Sequence, residues 1–231
     1  MNTRYKTTGI LLLAALPFVT KIAALGTTGY TLQSLYKIVQ LAIPTAWRYR
    51  KNERGFDIFW PFHEPRPTPM GWAIGALSGC MLALAGIVAI KIAASFGLVD
   101  PASIRTGFDE RFTVDASLAV IIVVFLSTIN AALEELHFRA WLDRELSALW
   151  GTHAGVGISA LAFGGMHILI FWGMPWFLLQ TILMMAAALA LAGAVWSVLA
   201  RMKGGIHIAF LSHAVADALL LAWGLFWLGY M

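Results

Sequence analysis

The sequence predicts an all-α fold, a polytopic bundle of about seven transmembrane helices within a range of six to eight, and three observations predict it. Of 231 residues, 60% are hydrophobic and only 12% charged, with a mean hydropathy of +0.77. Soluble domains carry about 25% charged residues, so a chain this apolar needs lipid over most of its surface. The apolar residues also gather in runs long enough to cross a bilayer, which takes about 20 residues each. Finally, twelve of the sixteen Lys and Arg residues fall outside those runs. They do not line a soluble face with interleaved aromatics, which argues against a nucleic-acid partner.

The runs lie near 8–26, 30–47, 70–98, 116–140, 153–172, 174–200 and 204–229. In the first, Lys21 interrupts the apolar stretch. Arg4 and Lys6 ahead of it and small residues at Ala23 and Ala24 also suit a signal peptide, whose removal leaves the remaining topology unchanged. The second is the weakest, because Gln33, Ser34, Lys37 and Gln40 share one helical face. That face points into the bundle, or the helix lies in the interface. Three prolines between Phe62 and Pro69 make a rigid loop, and Cys80 in the third run reads as a small packed residue. A single cysteine allows no internal disulfide and says nothing of redox compartment. In the sixth run Ala186, Ala190 and Ala194 recur every four positions, which suits a close helix contact. No repeat or low-complexity tract appears.

Loop charge sets the orientation. Arg4 and Lys6 precede the first run, Arg48, Arg50, Lys51, Arg54 and Arg66 fill the second loop, and Arg144, Arg201 and Lys203 lie in later loops on the same side. The opposite side carries Arg105 and Arg111 beside Asp100, Asp109, Glu110 and Asp115. The expectation is a multi-pass protein of the cell (inner) membrane, with a cytoplasmic N-terminus and, for seven spans, an external C-terminus. Trp47, Trp72, Trp150, Trp172, Trp176 and Trp227 stand near the run ends, as an aromatic belt does.

An ionisable side chain inside a span costs about 2.5 kcal/mol or more, so it calls for a function. Such residues cluster in three runs: Glu134, Glu135, His137 and Arg139; His167; and His207, His213 and Asp217. Glu135 and Arg139 stand i,i+4 with the acid first, the favoured order for a helical ion pair. Glu134 is left without an evident helical partner. His213 and Asp217 share the i,i+4 spacing, so the carboxyl group orients or charge-balances the imidazole. If the fourth and fifth runs form a hairpin turning at Trp150–Gly151, Glu134 and His167 both lie about 24 Å from the turn, at matching depth. Gly164 and Gly165 let another helix approach there. A Glu and a His meeting inside a membrane can hold and deprotonate a water. His137 and His207 read as packed, and His63 and His153 as solvated loop residues.

At these residues the chain resembles the CAAX protease and bacteriocin-processing (CPBP) family of intramembrane endopeptidases, which includes the prenyl-protein endopeptidases. The family's Glu-Glu-x-x-x-Arg motif is matched by Glu134, Glu135 and Arg139, its Phe-x-x-x-His by Phe163 and His167, and its His-x-x-x-Asn/Asp by His213 and Asp217. The resemblance implies a helical catalytic core over 111–231. Residues 1–110 would add transmembrane helices and a basic cytoplasmic loop, all in one membrane-embedded bundle. It implies Glu134 as general base with His167 helping to hold the water. His213 and Asp217 would stabilise the oxyanion, and Glu135, Arg139 and Phe163 would support the site. The implied partners are the lipid bilayer and a membrane-tethered or lipidated peptide or protein substrate. Asp217 departs from the Asn usual in the prenyl endopeptidases, and an ionised Asp cannot donate a hydrogen bond.

No cofactor is expected on this reading. The alternative is a zinc hydrolase with Glu134, His167 and His213 as ligands and a fourth position for water, although no His-Glu-x-x-His occurs. A non-cleaving immunity or assembly factor with the same motifs, or a proton-linked membrane component, is the other alternative.

Overall fold

The computed structural model describes residues 3–25, 35–50, 60–111, 116–174 and 176–230, with the side chains of 3–5, 60–61, 111 and 116 left out. Gln33, Ser34, Lys51, Arg54 and Asp115 therefore lie outside the described residues, as do the side chains of Arg4 and Arg111. Among the described residues the chain forms helices and no strand. We label them α1 (Thr3–Ala24), α2 (Leu35–Arg50), α3 (Pro69–Ser95), α4 (Pro101–Arg111), α5 (Ser117–Trp150), α6 (Thr152–Trp172), α7 (Leu179–Leu199) and α8 (Gly205–Trp227).

Six of these are long and apolar enough to cross a membrane: α1 from Lys6, α3, α5, α6, α7 and α8. The protein is an integral membrane protein. The weak second run forms the 16-residue α2, which rises about 24 Å. It still carries the chain back across the bundle. Near its start Tyr36 lies under Lys21 at 5.4 Å, beside the end of α1. Near its finish Trp47 faces Gly9 and meets Trp141 edge-on at 6.4 Å. The polar face points inward: Gln40 is fully buried.

The bundle thus has two ends of different charge. At one, Lys6 pairs with Glu145 at 3.4 Å, Arg144 with Glu64, and Arg201 with Asp143 through two bonds of 2.6 Å. Those bonds push the Arg201 guanidinium further above its usual range. Arg48, Arg50, Arg66 and Lys203 belong to the same end by their places in the chain. At the other end, the acidic loop between the third and fourth runs contains α4. Asp100 caps it, accepting from the Ala102 and Ser103 amides at 3.1 and 3.2 Å and from the Ser103 hydroxyl at 2.5 Å. Those bonds, the hydroxyl's first, hold its carboxyl below the usual range. Arg105 donates to the Leu228 carbonyl at 2.7 Å and Tyr230 to Asp109 at 2.5 Å, tying α4 to the end of α8. Desolvation and then Asp109 push the Tyr230 phenol up to about 12, so it remains a donor.

Three local expectations need correction. The fourth run does not stop near 140: α5 continues to Trp150, so Arg144 sits in its last turns rather than in a loop. The turn itself falls where expected, at Gly151 with φ 87°. Cys80 is exposed on the outer surface of α3 rather than packed. Trp47 is buried and is no belt residue, whereas Trp72, Trp150 and Trp172 are exposed near helix ends.

Small residues set the crossings that bring the polar side chains together. A Cβ on Gly164 would lie 2.4 Å from the Ala186 carbonyl oxygen and 2.8 Å from the Ala190 Cβ, so α6 and α7 touch along the alanine stripe. Gly165 has more room, its nearest neighbour being Phe18 at 3.6 Å. A second close crossing was not apparent in the sequence. On α3, Gly75 and Gly79 face α8, where a Cβ would lie 3.0 Å from the Ile208 carbonyl and 2.5 Å from that of Ser212. Ser78 and Ser212 share a hydrogen bond of 2.9 Å across it.

Candidate active site

The polar residues of α5 lie where that helix changes its winding. Leu126–Asn130 and Glu135–Asp143 run as π-helix, with i→i+5 bonds. Such segments are rare and concentrate at functional sites. Every residue from Glu134 to Asp143 is buried, so here α5 is the central strut of the bundle. A carbonyl in the wider winding is met from a neighbour: Ser159 of α6 donates to Phe138 O at 2.7 Å.

Glu135 holds two partners. Arg139 Nη1 lies 3.2 Å from its Oε1, the helical pair the spacing predicts. His213 Nδ1 lies 2.9 Å from the same oxygen. A carboxylate only accepts, so Nδ1 carries the hydrogen. Nε2 of His213 consequently faces the rest of the site, 3.6 Å from Glu134 Oε2 and 3.5 Å from Asp217 Oδ2. The ring's orientation is thus set by Glu135, on another helix, rather than by the i,i+4 aspartate alone.

Aromatic rings fix the remaining degrees of freedom. Trp196 of α7 stacks on His213 with centroids 3.8 Å apart and planes 13° off parallel. Its Nε1 donates to Ser212 at 3.2 Å. Phe163 meets His213 edge-on at 5.8 Å, packs on His167 at 4.6 Å and carries the Arg139 guanidinium over its face at 4.5 Å. Gly193 makes room for that guanidinium, since a Cβ there would lie 3.1 Å from Nη2. His167 Nδ1 lies 2.8 Å from the Phe163 carbonyl, to which it donates. When neutral, the ring then has an acceptor at Nε2.

Glu134, the residue without a helical partner, has one from α2: Lys37 Nζ bonds its Oε1. Glu134 interacts electrostatically with Lys37, His167 and His213 together. All three motif segments therefore meet at one buried cluster: Glu134, Glu135 and Arg139, then Phe163 and His167, then His213 and Asp217. His167 and Asp217 are its half-buried members, Asp217 with a quarter of its side chain exposed (25%). His137 is packed as expected, Nδ1 donating to the Gln40 carbonyl at 3.2 Å. His207 is packed too, between Phe62 and Trp72, and contacts the Glu64 carbonyl at 3.2 Å. His63 and His153 are exposed, the latter in the first turn of α6.

Lys37 and Trp196 are the site residues that sequence reasoning passed over. The polar face of α2 was the available clue to Lys37. Trp196, inside an apolar helix, gave none. The zinc alternative fits this donor set poorly. Among the described residues no three His, Cys, Asp or Glu side chains converge at metal-ligand geometry. The Lys37 ammonium also occupies the Glu134 carboxylate, where it would repel a dication.

Residues 116–219 match the family model described as Type II CAAX prenyl endopeptidase Rce1-like. No curated protein and no solved structure matches the chain. The matched segment includes every motif residue and ends just past Asp217.

Proposed function

We propose that the chain, an integral membrane protein whose residues 116–219 match the Rce1-like type II CAAX prenyl endopeptidase model, is an intramembrane endopeptidase cutting a membrane-tethered or lipidated substrate with water activated at Glu134 and His167. The observation that carries the reading is the His213 ring: Glu135 fixes its Nδ1 and turns its Nε2 toward Glu134 and Asp217. Protonated on both nitrogens beside the Glu134 and Glu135 carboxylates, the ring donates from Nε2 as well, and a donor so held, in a water-poor site, suits a developing oxyanion.

In the proposed reaction the water lies between Glu134 Oε2 and His167 Nε2. Glu134 takes its proton as the oxygen attacks the scissile carbonyl carbon, and the C=O electrons move to the oxyanion. Collapse breaks the C–N bond, and the proton on Glu134 passes to the leaving amine. Glu135, Arg139 and Phe163 hold His213 and His167 in place. The step needs no metal, and dialysis against a chelator should leave turnover unchanged.

In its protonated form Asp217 fits best as a second donor to the oxyanion. The duty of orienting His213 falls to Glu135 at 2.9 Å, while Asp217 stands 3.5 Å from Nε2. Asp217→Asn supplies a donor at every pH. It should retain turnover of a quenched-fluorescent prenylated-cysteine peptide within about tenfold of the parent, since adequate donors at such sites are worth about 10²–10³-fold. A loss of more than about a hundredfold at every pH would instead assign Asp217 to holding a charged imidazole. Failure of the parent chain to cut that peptide, or peptides tethered by an apolar segment, would contradict the proposed function.

The segregated charge supports an orientation with the Arg144–Arg201 end in the cytoplasm of the cell membrane. In a Cys80→Ala background, an impermeant maleimide applied to intact cells should label Ser103→Cys and spare Lys203→Cys. The reverse pattern would invert the orientation.

A further inference from the structure

Lys37 lies outside the matched segment, on a helix that carries none of the motifs, yet it touches the carboxylate assigned as base. An ammonium on Oε1 makes a carboxylate a poorer base, so a lysine fixed there for packing alone would oppose the reaction. The opposition disappears if the cation serves the product of proton transfer as well. Attack by water leaves the negative charge of the site unchanged in amount and moves it: Glu134 becomes neutral and the substrate oxygen becomes an oxyanion. A cation within reach of both keeps its partner throughout. Resting on the general-base reading of Glu134, we propose that Lys37 is a further catalytic residue, whose ammonium passes from Glu134 to the oxyanion as the tetrahedral intermediate forms.

The surroundings of Lys37 suit that passage. Its contact with Glu134 leaves Oε2, on the His213 side, to receive the proton. It interacts electrostatically with His137, His167 and Asp217 as well. Its side chain is 19% exposed against 4% for Glu134, and it lies over the Tyr36 ring at 4.9 Å. A lysine's four-carbon stem and three rotatable donors let the charge pivot. Arg139 has no such freedom: it is 1% exposed and held between Glu135, the Phe163 ring and Gly193. The bond changes are those of the hydrolysis above. No proton leaves Lys37.

The test separates the charge from the shape of the side chain. In the Cys80→Ala background, Lys37→Cys is alkylated as folded protein. 2-Bromoethylamine restores an ammonium at nearly the original length, and iodoacetamide adds a neutral amide. With the prenylated-cysteine peptide, Lys37→Met and the carbamidomethylated protein should lose about 10²-fold in kcat, with KM within about threefold. The aminoethylated protein should return to within about tenfold of the parent, and Lys37→Arg should keep a comparable share. Lys37→Arg needs no alkylation, so it reads the charge even if the other variants fold poorly. The proposal is overturned if Lys37→Met turns over within about threefold of the parent, if the two alkylated forms are equally active, or if Lys37→Arg is as impaired as carbamidomethylation. Glu134→Gln in the same assay keeps the two readings apart. A dead Glu134→Gln beside an active Lys37→Met removes only Lys37, whereas a fully active Glu134→Gln, or an inactive parent, removes the base reading and this inference with it.

Discussion

Glu134→Gln is expected to lower peptide hydrolysis by about 10²–10⁴-fold while leaving the protein folded. Glutamine keeps the size and one acceptor oxygen, so Lys37 retains a hydrogen-bond partner while the site loses its base. KM should change little, because the carboxylate acts on the water rather than on the tethered substrate. Monodispersity and the thermal unfolding midpoint check that the loss is chemical. Full turnover by well-folded Glu134→Gln would take this residue out of the mechanism.

Glu135→Gln should fail in a different way, through stability. Arg139 is 1% exposed and Glu135 wholly buried, and beside this carboxylate the guanidinium has the Phe138, Phe163 and Trp196 rings for company. Neutralising the acid strands a buried cation, a change that costs about 3–5 kcal/mol. The glutamine oxygen still accepts from His213 Nδ1, so whatever protein folds should keep measurable turnover. The unfolding midpoint in detergent should drop sharply. It should recover in Glu135→Gln combined with Arg139→Met, where no unpaired charge remains. An unchanged midpoint for Glu135→Gln alone would mean that Arg139 does not depend on Glu135.

These two adjacent acids show how far a single sequence reaches. The Glu135–Arg139 pair is local to one helix, so spacing alone predicted it. The bond from Glu135 to His213 joins residues 78 apart, and the one from Lys37 to Glu134 residues 97 apart. Nothing in either local pattern names the other partner. For α2 the polar face was legible and its direction was not, because an inward-facing helix and an interfacial one share the same amphipathic pattern. His137 shows a different limit: its partner is the Gln40 carbonyl, and backbone groups leave no trace in residue identity. The π-winding of α5 left none either. That helix ends at Trp150, ten residues beyond where the apolar run ends.

The transmembrane character was legible because lipid imposes one composition on every span. The helix crossings were half legible. The Ala186–Ala190 stripe and Gly164 were each read as allowing a close approach, though not to one another, and they meet. Gly75 and Gly79 passed unnoticed although their clearance against α8 is as tight. Glycines are frequent in membrane helices, so their spacing discriminates weakly until the facing helix is known.

Hydrolysis in ¹⁸O-water is the most direct test of metal-independent water activation at Glu134. The purified chain, dialysed against a chelator and placed in lipid nanodiscs, is given the prenylated-cysteine peptide, and the products are weighed by mass spectrometry. The account predicts cleavage by the parent, one ¹⁸O in the new carboxyl group, and no product above background from Glu134→Gln. Cleavage that stops with the chelator and returns with zinc, or that proceeds equally with Glu134→Gln, would contradict it.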